Sequence, residues 1–279
     1  MFELRLMTPS DIDAGLALCR SAGWNQVRSD WQLFLDLSPN GCFVAVNEDH
    51  QVVGTVATIV YEERFAWIGM VLVDPFYKRQ GFGTRLLNKA LETLDNISCI
   101  KLDATPAGRE VYLKLNFEDE YGLTRMLLSS ASETFKKEKT FPHADLSQLT
   151  DVIANDTQVF GASRQKLLES LYHNSPALTF TDEHHMAYCF GRQGHNYLHV
   201  GPVVAEDFTQ AKQLLASVAL SNDRRPLLID VPHHSKEWLS WLKEAGFKEQ
   251  RVFTRMYNGK NLTPGIPHLQ YAILGPEFG

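Results

Sequence analysis

The chain has 279 residues, 44% hydrophobic and 22% charged, a composition that supports a buried core and excludes a disordered or fibrous protein. Lys and Arg number 27 against 33 Asp and Glu, giving a net charge of −6, which argues against the broad basic surface that sequence-independent phosphate binding needs. No nucleic-acid partner is expected. The length suits two domains of ordinary size. No run reaches the about 18 apolar residues of a membrane span, and the first residues lack a charged-then-apolar leader, so the expectation is a cytoplasmic protein with no membrane partner. Cys19, Cys42, Cys99 and Cys189 are widely spaced among mostly apolar neighbours, as buried thiols in a reducing compartment are.

In chain order, Thr8-Pro9-Ser10-Asp11 reads as a helix start, with Ile12, Leu16 and Cys19 at helical spacing behind it. A second helix starts near Ser29 and stops before Pro39. Cys42 to Val46 and Val52 to Tyr61 are strands joined by a polar hairpin loop, and Phe65 to Val73 is a third strand that Asp74-Pro75 ends. Next comes the loop Lys78-Arg79-Gln80-Gly81-Phe82-Gly83-Thr84, which opens a helix carrying Leu86, Leu87, Ala90, Leu91 and Leu94. Ser98 to Asp103 is a short strand, Ala107 to Leu115 a short helix, and Glu118 to Ser129 a closing strand pair. Residues 130–144, with the charge run Lys136 to Lys139, read as a solvated linker.

After the linker the pattern recurs. Phe117 precedes Thr124-Arg125-Met126 as Phe247 precedes Thr254-Arg255-Met256, and each follows a strand ending in aspartate, Asp103 and Asp230, and a helix with a central aromatic. Such self-similarity marks a duplicated unit. The glycine loop does not recur: Ala205 to Gln210 holds no glycine pair and no basic residue.

The loop has a chemistry of its own. Backbone N–H groups at a helix start, with the positive end of the helix dipole, bind phosphate or pyrophosphate. Gly81 and Gly83 permit close approach, and Lys78 and Arg79 add charge. The spacing fails both the dinucleotide fingerprint and the Walker loop. With Val71-Leu72-Val73-Asp74-Pro75 before it and Val111-Tyr112-Leu113-Lys114-Leu115-Asn116-Phe117 after it, the run resembles the acetyl-CoA signature of the GNAT superfamily of N-acetyltransferases. Lys78 stands where that family usually has Arg or Gln, and Asn116 where it has Gly. Together with the repeat, the chain looks like the tandem GNAT proteins with a degenerate second copy. Asp156, Phe160, Gly161, Arg164, His199-Val200-Gly201-Pro202 and Pro276 to Gly279 are similar to patterns of that second copy.

The resemblance implies an α/β fold of two GNAT-like domains, each a twisted mixed sheet flanked by helices: residues 1–130 with the acyl-CoA site, a linker at 131–144, and a degenerate domain at 145–279. It implies acetyl-CoA as co-substrate, lying where two parallel strands splay, its pantetheine on the backbone of Met70, Val71, Leu72 and Val73, and its pyrophosphate on Lys78 to Thr84. An N–H of Met70 or Val71 would polarise the thioester, and Tyr112 would protonate the leaving thiolate. Glu62 and Glu63 are candidate bases, with a water chain as the equal alternative. Trp24 and Trp31 would roof the acceptor, and Asp156 and Arg164 would reach it across the domain interface, unless they form an ion pair of their own. The acceptor expected is a primary amine of a small molecule, with the acidic balance leaning toward a cationic one. A non-catalytic acyl-CoA-binding module is the competing reading. The adjacent histidines 184–185 and 233–234 make poor chelates on a strand, so no metal is expected; a homodimer is allowed.

Overall fold

A computed structural model describes residues 3–130, 133–222 and 225–279. Residues 131 and 132 of the expected linker lie outside the described residues. The first half runs β1 (Glu3–Leu6), α1 (Ile12–Ser21), α2 (Arg28–Leu37), β2 (Cys42–Val46), β3 (Val52–Tyr61), β4 (Phe65–Val73), α3 (Phe82–Thr93), β5 (Cys99–Ala104), α4 (Pro106–Leu113) and β6 (Glu118–Leu128). The second runs α5 (Leu149–Phe160), α6 (Gln165–Asn174), β7 (Thr179–Thr181), β8 (Tyr188–Gln193), β9 (Leu198–Val204), α7 (Phe208–Ser221), β10 (Leu227–Pro232), α8 (Lys236–Glu244), β11 (Lys248–Gly259) and β12 (Gln270–Ala272). The fold is the expected mixed α/β architecture. No described helix is long and apolar enough to cross a membrane.

Local chemistry explains the starts of these elements. Thr8 and Asp11 form a capping box before α1, with the Thr8 N–H donating to Asp11 Oδ2 at 2.8 Å, and Arg5 grips the same carboxylate at 2.7 Å. The resulting α1 buries Ile12, Leu18 and Cys19 against α2, whose Trp31 and Phe34 are fully buried. On the opposite face of β4, α3 packs Leu86, Leu87 and Ala90 onto Ala66 and Ile68. The charged connector is docked rather than solvated along its length: Phe135 is fully buried in the second half's core beside Phe247.

The strands form one continuous sheet in the order β1-β2-β3-β4-β5-β11-β6-β10-β9-β8-β7, with β12 on β9. The expected strand pair at 118–129 is instead a single strand, β6, and it leaves its own half. It pairs with β10, while β11 crosses back to pair with β5, and the two exchanged strands pair antiparallel at the centre. There Leu123 faces Phe253, the equivalent position of the other repeat, so an approximate two-fold axis passes through that pair. The repeated arginines and aspartates are exchanged in the same way. Arg125 of β6 binds Asp230 of β10 through two contacts of 2.8 Å, and Arg255 of β11 binds Asp103 of β5 through two of 2.9 Å. Both pairs are buried, and removing one member of such a pair costs about 3–5 kcal/mol, so the exchange binds the halves in register.

The two halves also contain corresponding forks. Parallel β4 and β5 pair only at Ala66 with Ile100 and Trp67 with Lys101, then part, and no described strand enters the gap. Parallel β9 and β10 pair from Leu198 to Val200 and then part as well, but β12 enters there. Gln270 and Ala272 pair with Val204 and Val203, and the Ile273 N–H donates to the Asp230 carbonyl at 3.0 Å.

Candidate active site

The first fork is shaped by a bulge. The pairing of β3 with β4 shifts register between Thr55 and Ala57, Met70 takes a left-handed φ of 54°, and its carbonyl accepts a 2.8 Å hydrogen bond from Thr55 Oγ1. Beyond Trp67, β4 has β3 on one edge only, which leaves main-chain groups of the segment 68–73 free toward the fork.

At the end of β4 the chain turns through Pro75–Tyr77, where Asp74 Oδ1 accepts from the Phe76 N–H at 2.9 Å. Arg79 and Gly81 both have positive φ, 61° and 85°, and Gly81 is the N-cap of α3 with no side chain closing the helix start. In the first turn of α3 the Gly83 and Thr84 N–H groups make no hydrogen bond among the described residues. A side chain added at Gly81 would meet nothing within 4 Å, so the loop stands open to a ligand. Lys78, Arg79, Gln80 and Thr84 are exposed around it, and neither Lys78 nor Arg79 makes an ion pair among the described residues. Phe82 is buried but still lines the groove, while Leu72 is buried in the core. A groove of about 360 Å³ runs from this loop past Val73, Gly83 and Val71 to Thr105 and Tyr112.

Tyr112 sits in the last turn of α4. Thr105 caps that helix, accepting from the Gly108 N–H at 3.2 Å, and Asn116 ends it at φ 61°, the left-handed geometry the family's glycine would take. The ring lies on Gly108 and beside Phe117, at 5.8 Å between centroids. Its hydroxyl makes no hydrogen bond among the described residues, and burial pushes it up to about 12. Val71, Thr105 and Tyr112 also line a second cavity of about 120 Å³, so groove and cavity meet at the tyrosine.

The second cavity is walled from both halves: Trp24, Gln26, Gly69, Met70 and Asp103 from the first, Arg125 from the exchanged β6, and Arg251, Phe253 and Glu277 from the second. Glu277 entered the sequence reading only within Pro276 to Gly279, with no role assigned. It lies in a tail laid over β4, where the Trp67 Nε1–H donates to the Pro276 carbonyl at 2.9 Å, Tyr61 Oη donates to the Phe278 carbonyl at 2.7 Å, and Phe278 stacks on Phe34 at 4.7 Å. The Glu277 carboxylate meets Arg192, whose other arm holds Asp30 at 2.6 Å. Burial would push Glu277 up, but Arg192, His199 and Arg125 together hold it below the usual carboxylate range.

Other expected residues lie elsewhere. Glu62 and Glu63 take left-handed φ values at the β3–β4 turn, where Glu62 accepts from the Ser163 N–H at 2.8 Å and neighbours Arg64 at 3.6 Å. At about 3.3 Å per strand residue, that turn is about 20 Å from Met70, and neither glutamate lines the cavity. Asp156 and Arg164 form a buried pair with contacts of 2.8 and 2.9 Å, completed by Tyr188 Oη on Asp156 and the Gly279 carbonyl on Arg164, and do not reach the cavity either. Trp31 is buried in the core, leaving Trp24 as the tryptophan of the pair at the cavity.

Comparison with known proteins bears on this arrangement. Residues 15–117 match the model described as Acetyltransferase (GNAT) family, and residues 152–272 match that described as Acetyltransferase (GNAT) domain. The chain belongs to the GNAT family. It is 26% identical to YitH of Bacillus subtilis (strain 168), an uncharacterized N-acetyltransferase, over 99% of this chain and 98% of that one. It is 25% identical to the holothin acyltransferase of Pseudoalteromonas sp. (strain SANK 73390), over 92% and 87%. A solved structure from Pyrococcus horikoshii, assigned as an acetyltransferase, superposes over 100% of this chain and 96% of that one with a TM-score of 0.83 at 25% identity. The protein is thus an acyltransferase built from two GNAT domains in tandem. In its second GNAT domain the helix after the fork, α7, is capped by Asp207, which accepts from the Gln210 N–H at 2.8 Å. A carboxylate there repels phosphate where the first domain leaves open glycine backbone.

Proposed function

We propose that the protein moves the acetyl group of acetyl-CoA to a primary amine of a small molecule by direct transfer, using only the first fork. The observation that carries this reading is the single passage from the Lys78–Thr84 loop, along the unpaired edge of β4, to Tyr112 and the cavity beyond. The loop's open donors suit a pyrophosphate, the free main chain of 70–73 suits the amides of pantetheine, and the bulge at Met70 supports an N–H there or at Val71 as the donor to the thioester oxygen. The division into 1–130 and 145–279 stands in this proposal as a division of sequence, with β6 and β11 exchanged in space. The four buried, unpaired cysteines support a reducing, cytoplasmic setting.

In the transfer, the amine nitrogen bonds to the acetyl carbon, the carbon–sulfur bond breaks, and the proton that nitrogen loses is the proton sulfur gains. A hydroxyl at about 12 stays protonated while a thiol ordinarily titrates near ~8.5, so full transfer from Tyr112 to sulfur runs uphill. Tyr112 acts instead by donating a hydrogen bond to the departing thiolate, and the sulfur takes its proton from water. Water in the cavity receives the amine's proton, since Glu62 and Glu63 lie far off. The test is thiol release from acetyl-CoA with a panel of amines, run beside Tyr112→Phe. Loss of a hydrogen bond to a charged group predicts a fall in turnover of roughly 10- to 100-fold with acetyl-CoA affinity retained. Unchanged turnover removes Tyr112 from the mechanism, and acetyl-CoA binding without thiol release from any amine favours a binding module.

A further inference from the structure

The cavity beyond Tyr112 is lined by four charged side chains, and their partners are unequally shared. Asp103 is matched by Arg255, and Arg125 by Asp230. Arg251 stands directly across from Arg125 in the β6–β11 pairing, half-buried, and makes no hydrogen bond or ion pair among the described residues. Two guanidiniums thus face one another over a single aspartate. At the other end, Glu277 binds Arg192, which it shares with Asp30, while His199 and Arg125 act on it as well. The cavity thus has a cation without an anion at one end and a compensated carboxylate at the other.

A neutral or purely cationic ligand would leave Arg251 uncompensated in a half-buried position beside a like charge. An anion would answer it, and a carboxylate matches the planar fork of a guanidinium. Burial and the charge of Arg125 both push the Arg251 guanidinium down, which a bound anion would reverse. Glu277 belongs to the reacting side, because its main chain lies against Gly69, the neighbour of the Met70 bulge. We infer that the acceptor is an amine bearing a carboxylate, as α-amino acids do, with the carboxylate on Arg251 and the amino group toward Glu277 and Tyr112.

This inference rests on the transferase reading, and its test separates the two. Thiol release from acetyl-CoA is measured with α-amino acids and with their primary amides, which keep the amine and lose the carboxylate. The acids are expected to exceed the amides in kcat/KM by roughly 10- to 100-fold, with the gap in KM, and Arg251→Gln is expected to bring the ratio to about one while Arg251→Lys restores part of it. Equal use of acid and amide by the native protein, or an equal loss for both in Arg251→Gln, overturns the inference and leaves the transferase reading standing. Binding is read independently by the rise in Tm that N-acetyl amino acids and N-acetyl amino amides produce with CoA present. Should no amine release thiol, an Arg251-dependent preference for the N-acetyl acids would uphold the carboxylate site while the transferase reading fell; the absence of that preference would overturn the site too.

Discussion

Replacing Gly69 by alanine tests whether the tail from Pro276 to Gly279 is a wall of the active site. A Cβ built there would stand 2.5 Å from the Glu277 carbonyl oxygen and 3.0 Å from its Cα, both main-chain atoms with no rotamer to escape into. Either the tail bends, at an overpacking cost of about 1–3 kcal/mol, or it lifts away. Lifting forfeits the buried hydrogen bonds from Trp67 and Tyr61, about 1 kcal/mol each, and the burial of Phe278 on Phe34, about 2 kcal/mol more. The cheaper response sets the result, so the loss of stability is about 1–3 kcal/mol, or about 2–5 °C in Tm for a chain of this length. Because Glu277 moves in both cases while the Lys78–Thr84 loop does not, the acceptor KM should rise several-fold with acetyl-CoA affinity held. Thermal denaturation and steady-state kinetics decide it. An alanine variant with native Tm and native acceptor KM would refute the argument that this close approach holds the tail in place.

Arg164→Met should cost about 3–5 kcal/mol, read by urea denaturation, because it strands the buried Asp156 carboxylate, and the surviving folded protein should keep its acceptor KM. A raised KM at native stability would return Arg164 to the acceptor. Asp11 is pushed down to about 2, chiefly by its hydrogen bonds to the Arg5 guanidinium, so its contribution is present above about pH 4 and lost as the pH falls toward about 2. With Arg5 partly exposed, Asp11→Asn should therefore destabilise by about 1–2 kcal/mol at neutral pH, a gap that closes in acid; a pH-independent gap would show that the ion pair is not its source. Because Tyr112 stays protonated, kcat/KM should climb with pH as the acceptor amine loses its proton and show no descending limb from this residue below about pH 10. A limb between roughly pH 7 and 9 that vanishes in Tyr112→Phe would contradict that assignment.

What was legible in the sequence was whatever one stretch of chain decides alone. The glycine loop, the strand before it and the helix after it are local, and Asn116 announces its left-handed turn by residue type. The exchange of β6 and β11 was not legible, because Thr124-Arg125-Met126 and Thr254-Arg255-Met256 read the same whether each strand pairs within its own half or across. The repeated aspartates and arginines were visible, but nothing in their spacing says that each arginine serves the other copy's aspartate. Glu62 and Glu63 were misplaced because a hairpin's distance from the bulge depends on which end of β4 faces the acceptor. Glu277 showed no role of its own, since a lone acid in a tail acquires meaning only through Arg192 and Gly69. Its isolated Gly-Pro-Glu-Phe context gave a resemblance without a role.

Only three residues separate the strand that plugs the second fork from Pro276 and Glu277, which wall the first cavity. Withdrawing β12 to open the second fork would drag Glu277 and Phe278 off β4 and disturb the first cavity. Restoring a glycine loop before α7 would therefore leave the second fork filled by β12.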